Sequence, residues 1–265
     1  MFERVRDRGA RPAVSAWGVG GAGGRAVAQL IAGGAVALDT VVSDGDARVL
    51  QGAPARSRVR LMVCAPSPDA GLCPGEAAAR ASADAIAARL RDAEICLIAA
   101  GLGGATASGA APVIAAMARA RGIPTLAIVT TPIHLEGPER MLAAQRAVSA
   151  LGEAADHLLV LPLQAALDGA RDGTAFRAAL GGAEQLLHDA LAHTADLLVR
   201  GGELRGPAAE VSLLIALTAV ASRFGGEVRS RVAGVGRRPA PPAQRIAACY
   251  RTGCGPELRP VRRSA

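Results

Sequence analysis

Two stretches of this chain combine residue types that suit an anion. Gly18 to Val27 reads GVGGAGGRAV, and Gly101 to Gly109 reads GLGGATASG. Glycine has no Cβ, so backbone N–H groups there can approach a bound phosphate closely. Each stretch runs from an apolar segment into a helical pattern, which puts those donors at a helix N-terminus. Thr106 and Ser108 add hydroxyls to the second stretch. One such loop can simply make a tight strand-to-helix turn. Two of them at neighbouring strand ends make a cradle that suits a polyphosphate better than a single pyrophosphate.

Two chemistries compete at this point. A Walker loop is excluded, because GxxxxGK[ST] needs a lysine and all 30 basic residues here are arginine. Gly18, Gly20 and Gly23 do satisfy GxGxxG, with Asp44 and Asp46 following at the end of the next apolar run. That is the fingerprint of a Rossmann oxidoreductase using NAD, which stands as an alternative. It lacks an accompanying catalytic constellation. His134, His157, His188 and His193 are scattered, and the last two are five apart, off a common helix face.

The elements that must position these loops follow from periodicity. Val14 to Trp17, Asp39 to Val42, Leu61 to Cys64, Ile95 to Ala100, Thr125 to Val129 and His157 to Leu161 read as strands. Several are apolar throughout, as for strands covered on both faces. Helical patterns lie at Gly24 to Ala32, Pro74 to Arg91, Ala110 to Arg121 and Glu136 to Leu151, and a longer one runs from about Ala175 to about Val199. The alternation predicts an α/β fold with a parallel sheet wrapped by helices. Glu210 to Phe224 reads as an apolar helix, and RRPAPPA after Gly234 reads as a linker into an arginine-rich tail.

Composition bounds the rest. The chain has 265 residues, is 51% apolar and only 2% aromatic, so its core must be aliphatic. Cys64, Cys73, Cys96, Cys249 and Cys254 are odd in number and form no CxxC, which argues for reduced thiols in the cytoplasm and against a disulfide framework or zinc ribbon. No metal site is expected from protein ligands. The start, MFERVRDRGARP, is charged and has no signal-type apolar stretch. Ile95 to Ala118 carries no charge, but its glycines and Pro112 fit a strand, a loop and a helix better than a membrane span. Net charge is +7, and from Arg223 on there are ten arginines against Glu227 and Glu257. A solvated tail is expected there rather than a lipid or nucleic-acid contact.

Several ordered motifs together resemble one family. GVGGAGGRAV is similar to the first nucleotide loop of FtsZ, and GLGGATASGAAPVIA resembles the tubulin/FtsZ signature GGGTGTG followed by AAPVIA. TTPIHLEGPERM, Thr130 to Met141, resembles the family's TRPFxFEGxxR segment. HLLVLP, His157 to Pro162, resembles the strand before the ribose-side loop, and the helix ending in Ala195 to Leu198 resembles the central helix. The resemblance runs from about Val14 to about Leu198. It implies a Rossmann-like nucleotide-binding domain with GTP or GDP as ligand, with Mg2+ as an accompanying ion. By position it implies that Gly20, Gly21, Ala22, Gly23, Gly24 and Arg25 line the nucleotide. Gly71 would sit on a phosphate-facing loop. Gly103, Gly104, Ala105, Thr106, Ala107, Ser108 and Gly109 would cradle the phosphates. Glu136 would meet the ribose and Arg140 the phosphate side; the two are also spaced as an i,i+4 pair worth under about 0.5 kcal/mol on a helix surface. Glu184 and Gln185 fall where the family reads the base.

The departures from the family are as specific as the matches. Two signature glycines are Ala105 and Ala107, which costs on the order of 1 kcal/mol each if φ must be positive there. Arg25 replaces an asparagine, adding charge near the phosphates and removing an amide. Glutamine at 185 cannot accept the two hydrogen bonds an aspartate takes from guanine. The family's NxDxxD catalytic loop, offered by each subunit to its neighbour's nucleotide, falls at Arg205, Pro207 and Glu210. Only Glu210 keeps acid–base chemistry.

The organisation expected is an N-terminal extension over 1–13 and a nucleotide-binding domain over 14–210. A helical remnant of a mostly absent second domain would cover 211–232, and a disordered arginine- and proline-rich tail 233–265. The resemblance implies an FtsZ-like, cell-division GTPase relative with weak activity at best, partnering head to tail with itself or with a full-length FtsZ filament. The alternatives are a non-catalytic assembly modulator that caps filaments, a decayed paralogue, and the NAD enzyme.

Overall fold

In the computed structural model, residues 13–34, 38–62, 73–168, 176–200, 217–218, 221–222 and 226–230 are described. All belong to one unit, Met1–Arg231. The chain runs β1 (Val14–Val19), α1 (Gly20–Ala32), β2 (Asp39–Asp44), α2 (Ala47–Gly52), β3 (Ser57–Arg60), α3 (Pro74–Ala81), α4 (Ala83–Leu90), β4 (Ile95–Gly101) and α5 (Ala105–Arg119). It continues through β5 (Thr125–Thr131), a 3-10 turn at His134–Glu136, α6 (Pro138–Ala154), β6 (His157–Pro162), α7 (Leu163–Asp168), α8 (Phe176–Arg200) and β7 (Glu227–Ser230).

The strands form one sheet in the order β3-β2-β1-β4-β5-β6-β7. β1 to β6 pair in parallel, as the apolar runs predict. Side chains alternate across each strand. On β4, Cys96, Ile98 and Ala100 face a core built with α3 to α6, while Leu97 and Ala99 face one built with α1 and α8. Both sheet faces are therefore covered, which explains strands with no polar side. Cys96 is fully buried, and desolvation pushes its thiol well above the usual thiol range. The segment Ile95 to Ala118 resolves into β4 and α5, and among the described residues no helix is long and apolar enough to cross a membrane.

Several expected boundaries shift. The third strand lies at Ser57–Arg60 rather than at Leu61 to Cys64. Only Val59 of it is buried, with Arg58 and Arg60 exposed, because it is the sheet edge. Leu61 extends the ladder by one bond, donating to Asp44 O at 2.9 Å. The helix expected over Pro74 to Arg91 breaks at Ser82 (φ −102°, ψ 18°), whose Oγ accepts from Met62 N at 2.8 Å and ties the break to the end of β3. The region 211–232, expected as helical, contains β7, which pairs antiparallel with β6. The sheet is thus parallel with one antiparallel edge. The extension and tail, 1–12 and 231–265, lie outside the described residues.

Candidate nucleotide-binding site

The strand order places β1 between β2 and β4, so successive connections leave the sheet in opposite directions there. Ligands of open α/β sheets bind at that switch point, beyond the carboxyl ends of the strands. The two glycine stretches are the connections after β1 and β4, and a cleft of about 620 Å³ opens between them. Its walls come from α1 (Gly20, Gly21, Ala22, Arg25, Ala26, Gln29), the β4–α5 connection and the α5 start (Gly101, Leu102, Gly104, Ala105, Thr106, Ala107) and the β5 end with the following turn (Thr130, Pro132, Ile133, Glu136). Arg140 of α6, Leu163 of α7 and Leu187 of α8 complete it.

Both stretches become helix sooner than their glycines predict. α1 begins at Gly20 directly after β1, and α5 begins at Ala105. Gly20 takes φ +73° and Gly103 takes φ +104°, a region that suits glycine. Ala105 and Ala107 need no such freedom, since no described residue other than glycine has positive φ. The substitutions that replace the signature glycines are therefore unstrained. A Cβ built on Gly20 would meet the Ala107 methyl at 3.1 Å, so the two loops touch at this point.

The N-termini of α1 and α5 share one feature. Neither has a side-chain cap nor an acidic residue in its first turn. Asp46 caps α2, and Glu76, Asp84 and Glu139 stand in the first turns of α3, α4 and α6, whereas α7 and α8, like α1 and α5, have no acidic residue there. The first N–H groups of a helix have no intrahelical partner, and the helix dipole is positive there. Two uncapped termini thus present free donors and partial positive charge to the same cleft.

The remaining candidates divide. Gly23 and Gly24 leave the cleft wall: a Cβ on Gly23 would strike Ala99 O of β4, and one on Gly24 would meet Val42 Cγ1 at 3.3 Å. They let α1 lie close on the sheet. Gly109 faces α3, where a Cβ would collide with Glu76 N and the Cys73 thiol. Ser108 shapes the loop instead of lining it, its Oγ accepting from Gly103 N at 2.8 Å. Gly103 packs beneath Pro132 and Arg140.

Glu136 sits on the 3-10 turn, not on a helix, because Gly137 at φ +90° separates it from α6. It still meets Arg140, with Arg140 Nη1 donating to its Oε2 at 2.6 Å, while Ile133 N donates to its Oε1 at 3.0 Å.

Gln185 is exposed, absent from the cleft wall, and its amide donates to Asp189 Oδ1 at 2.9 Å. Two residues turn a helix by about 200°, so Leu187 facing the cleft carries Gln185 away from it. Glu184 lies on α8, with its side chain outside the described set; Gly71, Arg205, Pro207 and Glu210 also fall outside the described residues. Asp44 and Asp46, the acids of the dinucleotide fingerprint, do not line the cleft. Asp44 accepts from Asp46 N at 2.9 Å, and Asp46 accepts from Arg48 N at 2.8 Å.

Sequence reasoning assigned no site role to Ala26, Gln29, Gly101, Leu102, Thr130, Pro132, Ile133, Leu163 or Leu187. Gln29 had a readable signal, since Gly21, Arg25 and Gln29 repeat at i,i+4 on one face of α1. The others are apolar or lie at strand ends, where residue type carries no functional mark.

Comparison with known proteins gives the family. Residues 13–170 match the tubulin/FtsZ family GTPase domain. The chain belongs to the tubulin/FtsZ family. It is 40% identical over 195 residues to the cell division protein FtsZ of Caulobacter vibrioides, covering 72% of this chain and 38% of that one. It is 36% identical over 208 residues to cell division protein FtsZ 2 of Rhizobium meliloti, covering 77% of this chain and 60% of the relative. The solved FtsZ dimer of M. jannaschii superposes with a TM-score of 0.68 at 28% identity, over 78% of this chain and 61% of that one. This tubulin/FtsZ chain therefore spans between about a third and three-fifths of the curated relatives it matches. The seven-stranded, mostly parallel sheet is the FtsZ/tubulin nucleotide-binding architecture.

A divalent cation finds little in this cleft. Mg2+ in nucleotide sites is held by one or two carboxylates besides phosphate and water. Glu136 is the one carboxylate among the described lining residues, and both its oxygens already accept bonds. The described residues do not fit a protein-ligated metal.

Proposed function

We propose that this cleft binds a guanine nucleotide by its polyphosphate, and that the chain is an FtsZ-like subunit of cell-division type. It would work in the cytoplasm, head to tail with copies of itself or with a fuller FtsZ, and hydrolyse GTP slowly. The observation that carries the reading is the convergence of two uncapped helix N-termini, α1 and α5, on one cleft at the sheet's switch point. Thr106 and the amides of the α5 start would hold phosphate oxygens. Arg140 would add charge from the opposite wall, and Glu136 would stand at the ribose.

The base would be read weakly. The Gln185 amide is already bonded to Asp189, and Leu187 offers no hydrogen bond. A site without matched donors and acceptors loses selectivity between bases more than affinity for what they share.

Calorimetry with GTP, ATP and NADH tests the proposal. Binding of GTP with ATP within about tenfold is the expected result. Tight NADH binding without GTP binding would overturn it in favour of the oxidoreductase.

A further inference from the structure

Phosphate chemistry accounts for one end of the cleft, where the glycine loops meet the first turns of α1 and α5. The wall continues along α1 through Ala26 and Gln29. Gln29 lies eight residues beyond Gly21, about 12 Å along the helix axis. α8 packs against α1 here: Leu187 shares an apolar cluster with Ala26, and His188 Nδ1 lies 3.4 Å from Ala26 O. A nucleotide with its phosphates at the α1 N-terminus carries its base toward this apolar patch. A planar heterocycle needs apolar surface to rest on and a polar group at its edge.

Few side chains can supply that polar group. Among the described lining residues, those with strong hydrogen-bonding groups are Arg25, Gln29, Thr106, Thr130, Glu136 and Arg140. Thr106 stands in the first turn of α5, and Glu136 and Arg140 are bonded to each other. Thr130 Oγ1 lies 3.5 Å from where a Cβ on Gly101 would stand, and Arg25 Nη1 lies 3.5 Å from where one on Gly21 would stand. Both therefore sit over the glycine loops. Gln29 is left beside Ala26, exposed to the cleft. The Gln185 amide is bonded to Asp189, whereas the Gln29 amide has no hydrogen-bond partner among the described residues.

We infer that Gln29 is the residue that contacts the base edge, and that its amide is the reason adenine and guanine bind alike. This rests on the proposal that the cleft holds a nucleotide. An amide offers an acceptor and a donor side by side and can be turned over. In one orientation its NH2 group donates to guanine O6 while its oxygen accepts from guanine N1–H. Turned over, its oxygen accepts from the adenine amino group while its NH2 group donates to adenine N1. A carboxylate has acceptors only. It suits the N1–H and amino donors of guanine, and it sets a lone pair against adenine N1.

The test is titration of the full chain with non-hydrolysable GTP and ATP analogues and with inorganic tripolyphosphate. Gln29→Glu should move the ratio of GTP to ATP affinity toward GTP by about 10-fold, the scale of one hydrogen bond to a charged group. Taking the ratio cancels the repulsion between the new carboxylate and the phosphates. Gln29→Met, of similar size but without the amide, should weaken both analogues about 3- to 10-fold and leave tripolyphosphate binding unchanged. Gln185→Met should change none of the three. Circular dichroism melts equal to wild type confirm that each variant is folded. An unchanged ratio in Gln29→Glu would overturn the assignment. So would weaker tripolyphosphate binding in Gln29→Met, which would place Gln29 at the phosphates. Both results leave the nucleotide site standing. No binding of either analogue to the wild type would sink the nucleotide reading and the base contact together.

Discussion

At the scale of single residues, the positions that depart from the family's signature do not all weaken the site. Ala105 and Ala107 occupy the first turn of α5, where alanine is the better residue and glycine the costlier one. Restoring the family pattern with Ala105→Gly and Ala107→Gly should therefore lower stability by about 0.5–1 kcal/mol each. Thermal unfolding would show it as a fall of a few degrees. A rise in melting temperature would mean that these positions need the freedom only glycine has. Glu136 gives a second residue-scale expectation. Its ion pair with Arg140 is half-open to solvent, with the arginine side chain 53% exposed, so it adds little to stability. Glu136→Ala should change unfolding free energy by under about 0.5 kcal/mol and yet weaken nucleotide binding, because Arg140 loses the group that aims it. A large stability loss with unchanged binding would make the pair structural.

At the scale of elements, the glycines sort into two jobs that residue type alone does not separate. Gly20 and Gly103 adopt positive φ where a strand turns sharply into a helix. Gly75 and Gly109 instead let α3 and α5 meet backbone to backbone, with no space for a Cβ on either side. That contact fixes α5, whose first turn forms the cleft wall. Gly109→Val should force the helices apart at a cost of about 1–3 kcal/mol, and it should reduce nucleotide affinity through a displaced α5 although residue 109 lies off the cleft. Denaturant unfolding measures the first effect and calorimetry the second. Wild-type values in both would show that α3 and α5 can separate without consequence.

At the scale of the whole molecule, the open matter is assembly. A head-to-tail filament is a heterologous assembly, in which every subunit needs two different working faces. The face proposed to hold nucleotide has its cleft, lined in part by Glu136 and Arg140. By the sequence resemblance, the catalytic loop offered to a neighbour would fall at Arg205 and Pro207, which lack the groups that orient water. Hydrolysis should then be slow even at high protein concentration, since loss of a positioned acid–base group costs about 10²–10⁴ in rate. Arg205→Asn with Pro207→Asp should raise phosphate release in any filament that forms. Wild-type turnover equal to that of an ordinary filament GTPase would show that the loop lies elsewhere. The same asymmetry leads us to propose a capping role, joining a competent filament by the good face and offering the next subunit a poor one. Light scattering with GTP should show no long filaments from this chain alone and shorter or slower ones in a mixture with a competent FtsZ. Self-sufficient filaments, or an unchanged mixture at stoichiometric ratios, would refute capping.

Much of the fold was written in local pattern. Apolar runs at strand length alternating with 3.6-residue periods predict six parallel strands, and the motif order points to the tubulin/FtsZ family. These features are legible because each is encoded within a few neighbouring residues. Tertiary packing settled what local pattern leaves open. It made Gly20 and Ala105 helical from the outset, turned Gly23, Gly24 and Gly109 toward neighbouring backbones, and set Glu136 outside α6 by the break at Gly137. It recruited Thr130 and Leu187 to the cleft and carried Gln185 off it. It also added β7 to the far edge of the sheet. The physical reason is common to all of these. Whether a glycine faces a ligand or a helix, and which side of α8 meets the cleft, depends on surfaces supplied by elements tens of residues away in sequence.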